Sequence, residues 1–242
     1  MNTYNKQSNL LEREGTYPLA KTFMSGVFMW MFLALAITAA TAWIVATSPG
    51  LLSLIYNTET GGMSILGWIV MLAPLGLVLW MSAGFQRMSA STMIMIFMLF
   101  SVLLGASLSS IFLIYTSASI MKTFLIASGM FGVMAVVGYT TKTDLTKFGS
   151  IMFMGLIGII IASVVNLFMR SGTMDYIISF IGVLVFTGLT AYDVQKLKRI
   201  GSNIGYEDEG TRKMTIMGAL TLYLDFINLF LFLLRFFGNR NN

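Results

Sequence analysis

The sequence predicts an all-α integral membrane protein with seven transmembrane helices, and three observations carry that expectation. Hydrophobic residues make up 57% of the 242, charged residues 10%, and mean hydropathy is +0.82. A soluble domain carries roughly a quarter charged residues. The apolar residues run in long blocks, not alternating stripes, each close to the roughly 20 residues a helix needs to cross the hydrocarbon layer. Seven blocks of about 22 residues take up about 154 positions, which leaves a short tail and short loops and no room for a second, water-soluble domain.

Residues 1–21 read as a polar cytoplasmic tail, 22–238 as the seven-helix domain and 239–242 as a short C-terminal tail. Block one, about Thr22–Thr47, is too long for a cleavable signal and ends at the turn Ser48-Pro49-Gly50. The apolar patch Leu51–Tyr56 is expected at the interface. Blocks two and three run about Gly62–Phe85 and Ser89–Tyr115. Blocks four, five and six run about Ser119–Thr141, Phe148–Met169 and Met174–Leu197. A polar loop, Lys198–Lys213, precedes block seven, about Met214–Gly238.

Basic residues set an orientation. With the N-terminus inside, the inner segments hold Lys6, Arg13, Lys21, Arg87, Lys142, Lys147, Lys196, Lys198, Arg199, Arg212 and Lys213; the outer ones hold Lys122, Arg170, Arg235 and Arg240. Eleven against four predicts N-terminus in and C-terminus out, in a cytoplasmic (inner) membrane, and favours an odd number of spans. The net charge of +5 belongs to this bias and not to nucleic-acid binding. Small residues four apart (Ala36 and Ala40, Ser128 and Gly132, Gly158 and Ala162) suggest close helix approaches. The 20 methionines and 19 phenylalanines read as lipid-facing and core filler, and no cofactor box stands out among them.

With no cysteine and no histidine, the chain offers no disulfide, thiolate nucleophile, Cys/His zinc site or imidazole acid–base chemistry. A pH response near neutrality therefore falls to a carboxylate whose ionisation its surroundings perturb. No phosphate loop or dinucleotide fingerprint appears, no cofactor is expected, and the chain does not read as an enzyme.

Eight of the ten acids (Glu12, Glu14, Glu59, Asp144, Asp175, Glu207, Asp208 and Glu209) fall in the tail, the loops or the span edges. Asp193 lies within block six, about one turn from its inner end, and Asp225 near the middle of block seven, roughly 16 Å deep at 1.5 Å per residue. An ionised carboxylate at mid-membrane costs about 2.5–3.5 kcal/mol on the mildest scale, so it must be protonated, paired or wet. Consecutive antiparallel blocks let these two face each other, share a proton and act as a pH-sensitive latch. On block seven, Gly218, Thr221, Asp225, Asn228, Phe232 and Arg235 recur at spacings of three and four, a stripe expected to face the protein interior or a water path. Tyr192 and Tyr223 flank the acids as further polar network members. Arg87, at the inner end of block two, is the natural cationic partner. The plain alternatives are that Asp225 is a structural polar group satisfied by Asn228, a tyrosine or Arg87, and that Arg87 only marks the membrane edge.

Block six ends Ala191-Tyr192-Asp193-Val194-Gln195; block seven reads Leu222-Tyr223-Leu224-Asp225-Phe226-Ile227-Asn228-Leu229-Phe230, then Leu234-Arg235-Phe236-Phe237-Gly238. These stretches resemble the C-terminal signature of the Bax inhibitor family (the transmembrane Bax inhibitor motif proteins), specifically its bacterial branch. The resemblance implies six helices around a central, hydrophobic seventh. It also implies a pH-sensitive calcium leak gated by paired aspartates and an arginine, matched here by Asp193, Asp225 and, by spacing, Arg87. The ionised pair would be bridged by Arg87 and released on protonation. Block two departs from the family pattern in carrying no glutamate. With few acids at membrane depth, the aspartates would contact calcium only weakly and transiently.

Three other readings compete. An intramembrane aspartyl protease would use the same two acids, but Asp225 is flanked by Leu224 and Phe226 where that motif needs glycine. A proton-coupled transporter fits the stripe but lacks a visible inverted repeat. The resemblance also allows a non-transporting regulator that binds other membrane proteins, such as a membrane-bound ATP-dependent protease, through the tail Met1–Lys21.

Overall fold

The computed structural model describes residues 2–56, 62–206 and 208–239, with side chains described from residue 19 onward. Nine helices follow one another in the order α1 (Asn2–Thr47), α2 (Pro49–Ile55), α3 (Ile65–Gly84), α4 (Ala90–Leu108), α5 (Ile111–Ile114), α6 (Ser117–Thr140), α7 (Thr146–Met169), α8 (Gly172–Ser202) and α9 (Glu209–Phe237) among the described residues. Among the described residues, seven helical spans are long and apolar enough to cross a membrane: Leu19–Thr47, Ile65–Gly84, Ala90–Ile114, Ser117–Thr140, Thr146–Met169, Gly172–Ser202 and Glu209–Phe237. These match the seven blocks within a few residues at most ends. Helix is the structure a lipid-spanning segment requires, because it satisfies every backbone group internally. Helix α1 continues back from its span through the polar stretch to Asn2, and the interfacial patch becomes α2. The side chains of the proposed partner-binding tail up to residue 18, and Glu59, Glu207 and Arg240, lie outside the described residues.

One boundary differs from the sequence expectation. The polar loop 198–213 shortens to 203–208, because α8 carries its basic residues on to Ser202 and α9 starts at Glu209. Charged side chains beyond the hydrocarbon do not end a helix. What starts α9 is a cap, since the Asp208 carboxylate accepts from the Thr211 amide at 2.7 Å. The same contact holds the exposed Asp208 carboxyl below its ordinary range.

The chain divides into two compact units: Met1–Ile114 with Gly201–Leu220, and Tyr115–Ile200 with Thr221–Asn242. In the first, α4 packs against both α1 and α3. Thr38 of α1 donates to the Ser101 carbonyl at 3.0 Å, and a Cβ on Gly105 would lie 2.5 Å from the Thr38 carbonyl oxygen. The turn 85–88 is tied to the start of α9, with Lys213 donating to the Phe85 carbonyl (3.1 Å) and Glu209 accepting from the Ala90 amide (3.2 Å).

In the second unit α8 packs against α6 and α7 through glycines. A Cβ on Gly138 would sit 2.2 Å from the Ala191 carbonyl oxygen, and one on Gly149 2.4 Å from the Tyr192 ring. These are the close approaches, whereas the small residues singled out by four-residue spacing are not. A Cβ on Gly132 or Gly158 would meet nothing within 4 Å, and Ala36 and Ala40 are exposed. Spacing alone does not say which face of a helix meets protein and which meets lipid. Phe226 of α9 packs edge-on against Phe124 and Phe131 of α6, and Phe232 stacks on Phe186 of α8. The most apolar stretch of α9 is 67% buried, against 11% for that of α7. The last helix is thus the most enclosed of the spans and α7 the one turned most to lipid.

Candidate functional site

The second unit places Asp193 and Asp225 side by side on consecutive helices. Both are buried, at 9% and 5% exposure. Asp193 stands nine residues before Ser202, about 13 Å from the end of α8 at 1.5 Å per residue. It is still about one turn from the end of the apolar block at Leu197, because α8 runs on five residues past that block. Asp225 stands roughly 24 Å from the Glu209 end of α9, close to the helix centre.

The two carboxyls face each other within hydrogen-bonding reach, an arrangement that requires a proton between them. Asp193 also feels the ammonium of Lys196, one turn further along α8 and exposed, whose charge lies 6.0 Å from the Tyr192 ring centre. The Asp225 Oδ2 atom is buried with no hydrogen-bond partner. An orphaned buried acceptor costs about 1–3 kcal/mol, so the site carries unspent capacity to bind a donor or a cation.

Local sequence explains the positioning. Glycine at 138 brings the α6 backbone against Ala191, and glycine at 149 makes room for the Tyr192 ring, so α6 and α7 both meet α8 just before Asp193. Two turns of α8 back-bond their own carbonyls through Thr187 and Thr190, so these hydroxyls are satisfied within the helix. Buried Gln195 accepts from the Leu145 amide (2.9 Å) and donates to the Thr143 carbonyl (2.8 Å), tying the loop 141–145 to α8. Asp144 in that loop pairs with Arg199 at 2.7 Å.

The expected stripe on α9 divides. Gly218 and Asp225 are buried, Thr221 and Asn228 half-buried, and Asn228 donates to its own Leu224 carbonyl at 2.8 Å. Tyr223 is wholly buried. Arg235 lies ten residues beyond Asp225, about 15 Å along the helix, and is exposed at the other end of this unit. Arg87 belongs to the first unit, exposed in the turn 85–88. Lys196, Gln195, Gly138 and Gly149 were missed in the sequence; the three-residue spacing from Asp193 to Lys196 was the one available signal.

Among the described residues no group of three or more acidic, histidine or cysteine ligands comes together. Calcium takes six to eight oxygens, and two carboxyls supply four at most.

Residues 20–242 match the family model described as "Inhibitor of apoptosis-promoting Bax1". The chain is 50% identical to "Inner membrane protein YbhL" of Escherichia coli (strain K12) over 221 residues, covering 91% of this chain and 92% of that one. It is 44% identical to an uncharacterized protein of Borreliella burgdorferi, covering 91% and 93%. It is 39% identical to an uncharacterized membrane protein of Streptococcus pyogenes serotype M6, covering 68% and 71%.

Proposed function

The chain belongs to the Bax inhibitor family, and we propose on that premise that it is a pH-sensitive cation leak, with calcium as the cation and Asp193 with Asp225 as its latch. The observation that carries this reading is the buried acid pair, with one Asp225 oxygen unpartnered. While the pair holds its proton the two helices stay joined by a carboxyl–carboxyl hydrogen bond. When the proton leaves, two like charges in contact repel by about 4 kcal/mol even at an effective dielectric constant of 20. That is large beside the roughly 1 kcal/mol net of a typical hydrogen bond. A positive charge must then enter between them, and in this reading that charge is Arg87, whose bridge closes the inner mouth until protonation releases it. Lys196 is the charged neighbour of Asp193 along α8. Arg87 is the partner that this reading assigns to the ionised pair. The placement we propose is the cytoplasmic membrane, N-terminus inside, from the eleven-to-four bias of basic residues and from the printed name of the Escherichia coli relative.

The test is calcium influx into indicator-loaded liposomes between about pH 6 and 8, the range that a perturbed carboxylate reaches, with wild type beside Asp193→Asn, Asp225→Asn and Arg87→Gln. The expected result is a flux whose pH response vanishes in both aspartate variants and shifts in Arg87→Gln. No flux above empty liposomes at any pH would overturn the leak. The non-transporting regulator would then stand, with deletion of residues 1–21 as its test.

A further inference from the structure

A polar cavity, of about 480 Å³, opens in the second unit at the ends of three helices, away from the aspartate pair. Arg170, at the end of α7, and Arg235, near the end of α9, both line it. So does Asp175, in the first turn of α8. Buried Asn166 forms part of the wall, donating to Asp175 Oδ1 at 2.8 Å and accepting from the Ser171 amide at 3.0 Å. That wall is therefore built: the amide fixes one Asp175 oxygen and the turn between α7 and α8 together.

Two features call for a ligand. The first is charge without pairing. Opposite charges share the cavity, yet the ion pair found among the described residues is Arg199 with Asp144, elsewhere in the unit. The second is backbone strain. Arg170 caps α7 with φ 50° and ψ 37°, the left-handed region, and is the one non-glycine residue of positive φ among those described. Glycine or asparagine ordinarily fills this cap position, and an L side chain there costs about 1–2 kcal/mol. An arginine kept at that cost, with its head exposed over a polar cavity, is placed to hold something.

The surroundings name the level in the membrane. Leu167, Phe168 and Met169 are 71%, 80% and 63% exposed just before Arg170. Exposed Tyr176 stacks on Phe236 at 4.5 Å, and Phe236 meets Phe237 edge-on. Apolar side chains open to lipid, then aromatics, then arginines, is the order of a membrane–water interface. Headgroup phosphates lie at that depth.

We propose that this cavity binds the headgroup of a zwitterionic phospholipid, phosphatidylethanolamine. Arg170 and Arg235 take the phosphate, as arginine forks do. The Asp175 carboxylate takes the ammonium, and the Phe232 ring under Arg235 (5.8 Å from its guanidinium carbon) floors the site. A simple anion site would not keep a carboxylate in its wall, and a ligand carrying both signs accounts for all three charges. The inference is independent of the leak reading, because it concerns another end of the unit and a different chemistry.

The experiment is native mass spectrometry of the full chain purified in detergent with equal amounts of phosphatidylethanolamine and phosphatidylglycerol. Wild type is expected to retain phosphatidylethanolamine in preference. Arg235→Gln is expected to lower bound lipid about tenfold, the loss of one charge-assisted hydrogen bond. Asp175→Asn is expected to keep lipid but lose the preference. Arg170→Gly, which the backbone favours, is the second variant and should also lose lipid while melting no lower than wild type in lipid-free detergent. Unchanged lipid in both arginine variants, or a wild-type preference for phosphatidylglycerol, would overturn the assignment. A soluble glycerophosphoethanolamine arm separates the sources. Displacement of bound lipid at millimolar concentration would make the ligand a soluble zwitterion and overturn the membrane one.

Discussion

Asp193 of α8 and Asp225 of α9 present their carboxyls to each other in a buried setting, and the Asp225 Oδ2 atom has no hydrogen-bond partner. A pair designed only for stability would satisfy all four oxygens or be replaced by apolar side chains, which is often neutral or stabilising. An incompletely satisfied acid pair held in place by two glycine contacts is the arrangement that the proposed latch requires.

The first prediction concerns stability against pH. As pH rises and the pair loses its proton, like-charge repulsion appears and the folded state is destabilised. Wild-type melting temperature should therefore fall as pH rises across the range of the flux assay, by about 2–4 °C per kcal/mol of repulsion for a chain of this size. In Asp225→Asn the amide donates to Asp193 with no shared proton, so the slope should flatten. Thermal melts in detergent at each pH check this; equal slopes in both proteins would remove the shared proton from the account.

The seven spans were legible because a lipid-crossing helix is written in length and hydropathy, and the aspartates because an acid is conspicuous within such a block. The chain's residue pattern also carried the family. What was not legible depended on which face of a helix meets another. Gly138 and Gly132 look alike in sequence, yet only the first touches a neighbouring backbone. Arg235 fell on one stripe with Asp225 by spacing, but the rise along α9 carries it to a separate cavity. The start of α9 at Glu209 rests on the cap from Asp208, a local hydrogen bond that hydropathy does not see.

That contrast gives a second prediction. Gly138→Ala drives a methyl to 2.2 Å from the Ala191 carbonyl oxygen, against backbone that has no rotamer to yield. It should cost about 1–3 kcal/mol or more and disturb Asp193 two residues on. Gly132→Ala meets open space and should be neutral, or stabilising by up to about 1 kcal/mol through helix propensity. The two melting curves side by side are the check, and equal melting temperatures would mean that α6 and α8 do not approach as closely as described.

A third prediction separates a surface ion pair from the buried one. Asp144 is exposed and its carboxyl is held well below the ordinary range, chiefly by the Thr146 side chain and then by Arg199. Its folded value lies below the unfolded one, so its contribution is complete at neutral pH and is lost only as pH falls through and below the usual carboxylate range. Asp144→Asn should raise amide exchange at Leu145 and Thr146 at pH 7 and leave the global melt unmoved, since exposed pairs contribute little. Below that range wild type and variant should exchange alike. No difference at pH 7 would assign the loop's order to Gln195 instead, and one that persists in acid would detach it from the ionisation of Asp144.

The last prediction sets stability against binding at one residue. Arg170 occupies a left-handed helix cap that glycine would fill without strain. Arg170→Gly relieves that strain and should raise stability by about 1 kcal/mol, less the entropy that glycine adds to the unfolded chain. If the arginine is kept for the headgroup, the same change should strip bound phosphatidylethanolamine. The stability gain should then be largest in lipid-free detergent and shrink, or reverse, as the lipid is added back, because a ligand that binds only the folded wild type restores what the strain removed. Melting temperature of both proteins against added phosphatidylethanolamine reads this directly. Parallel curves would mean that the strained cap has no ligand to explain it, whereas crossing curves would tie the backbone strain at Arg170 to the phosphate it holds.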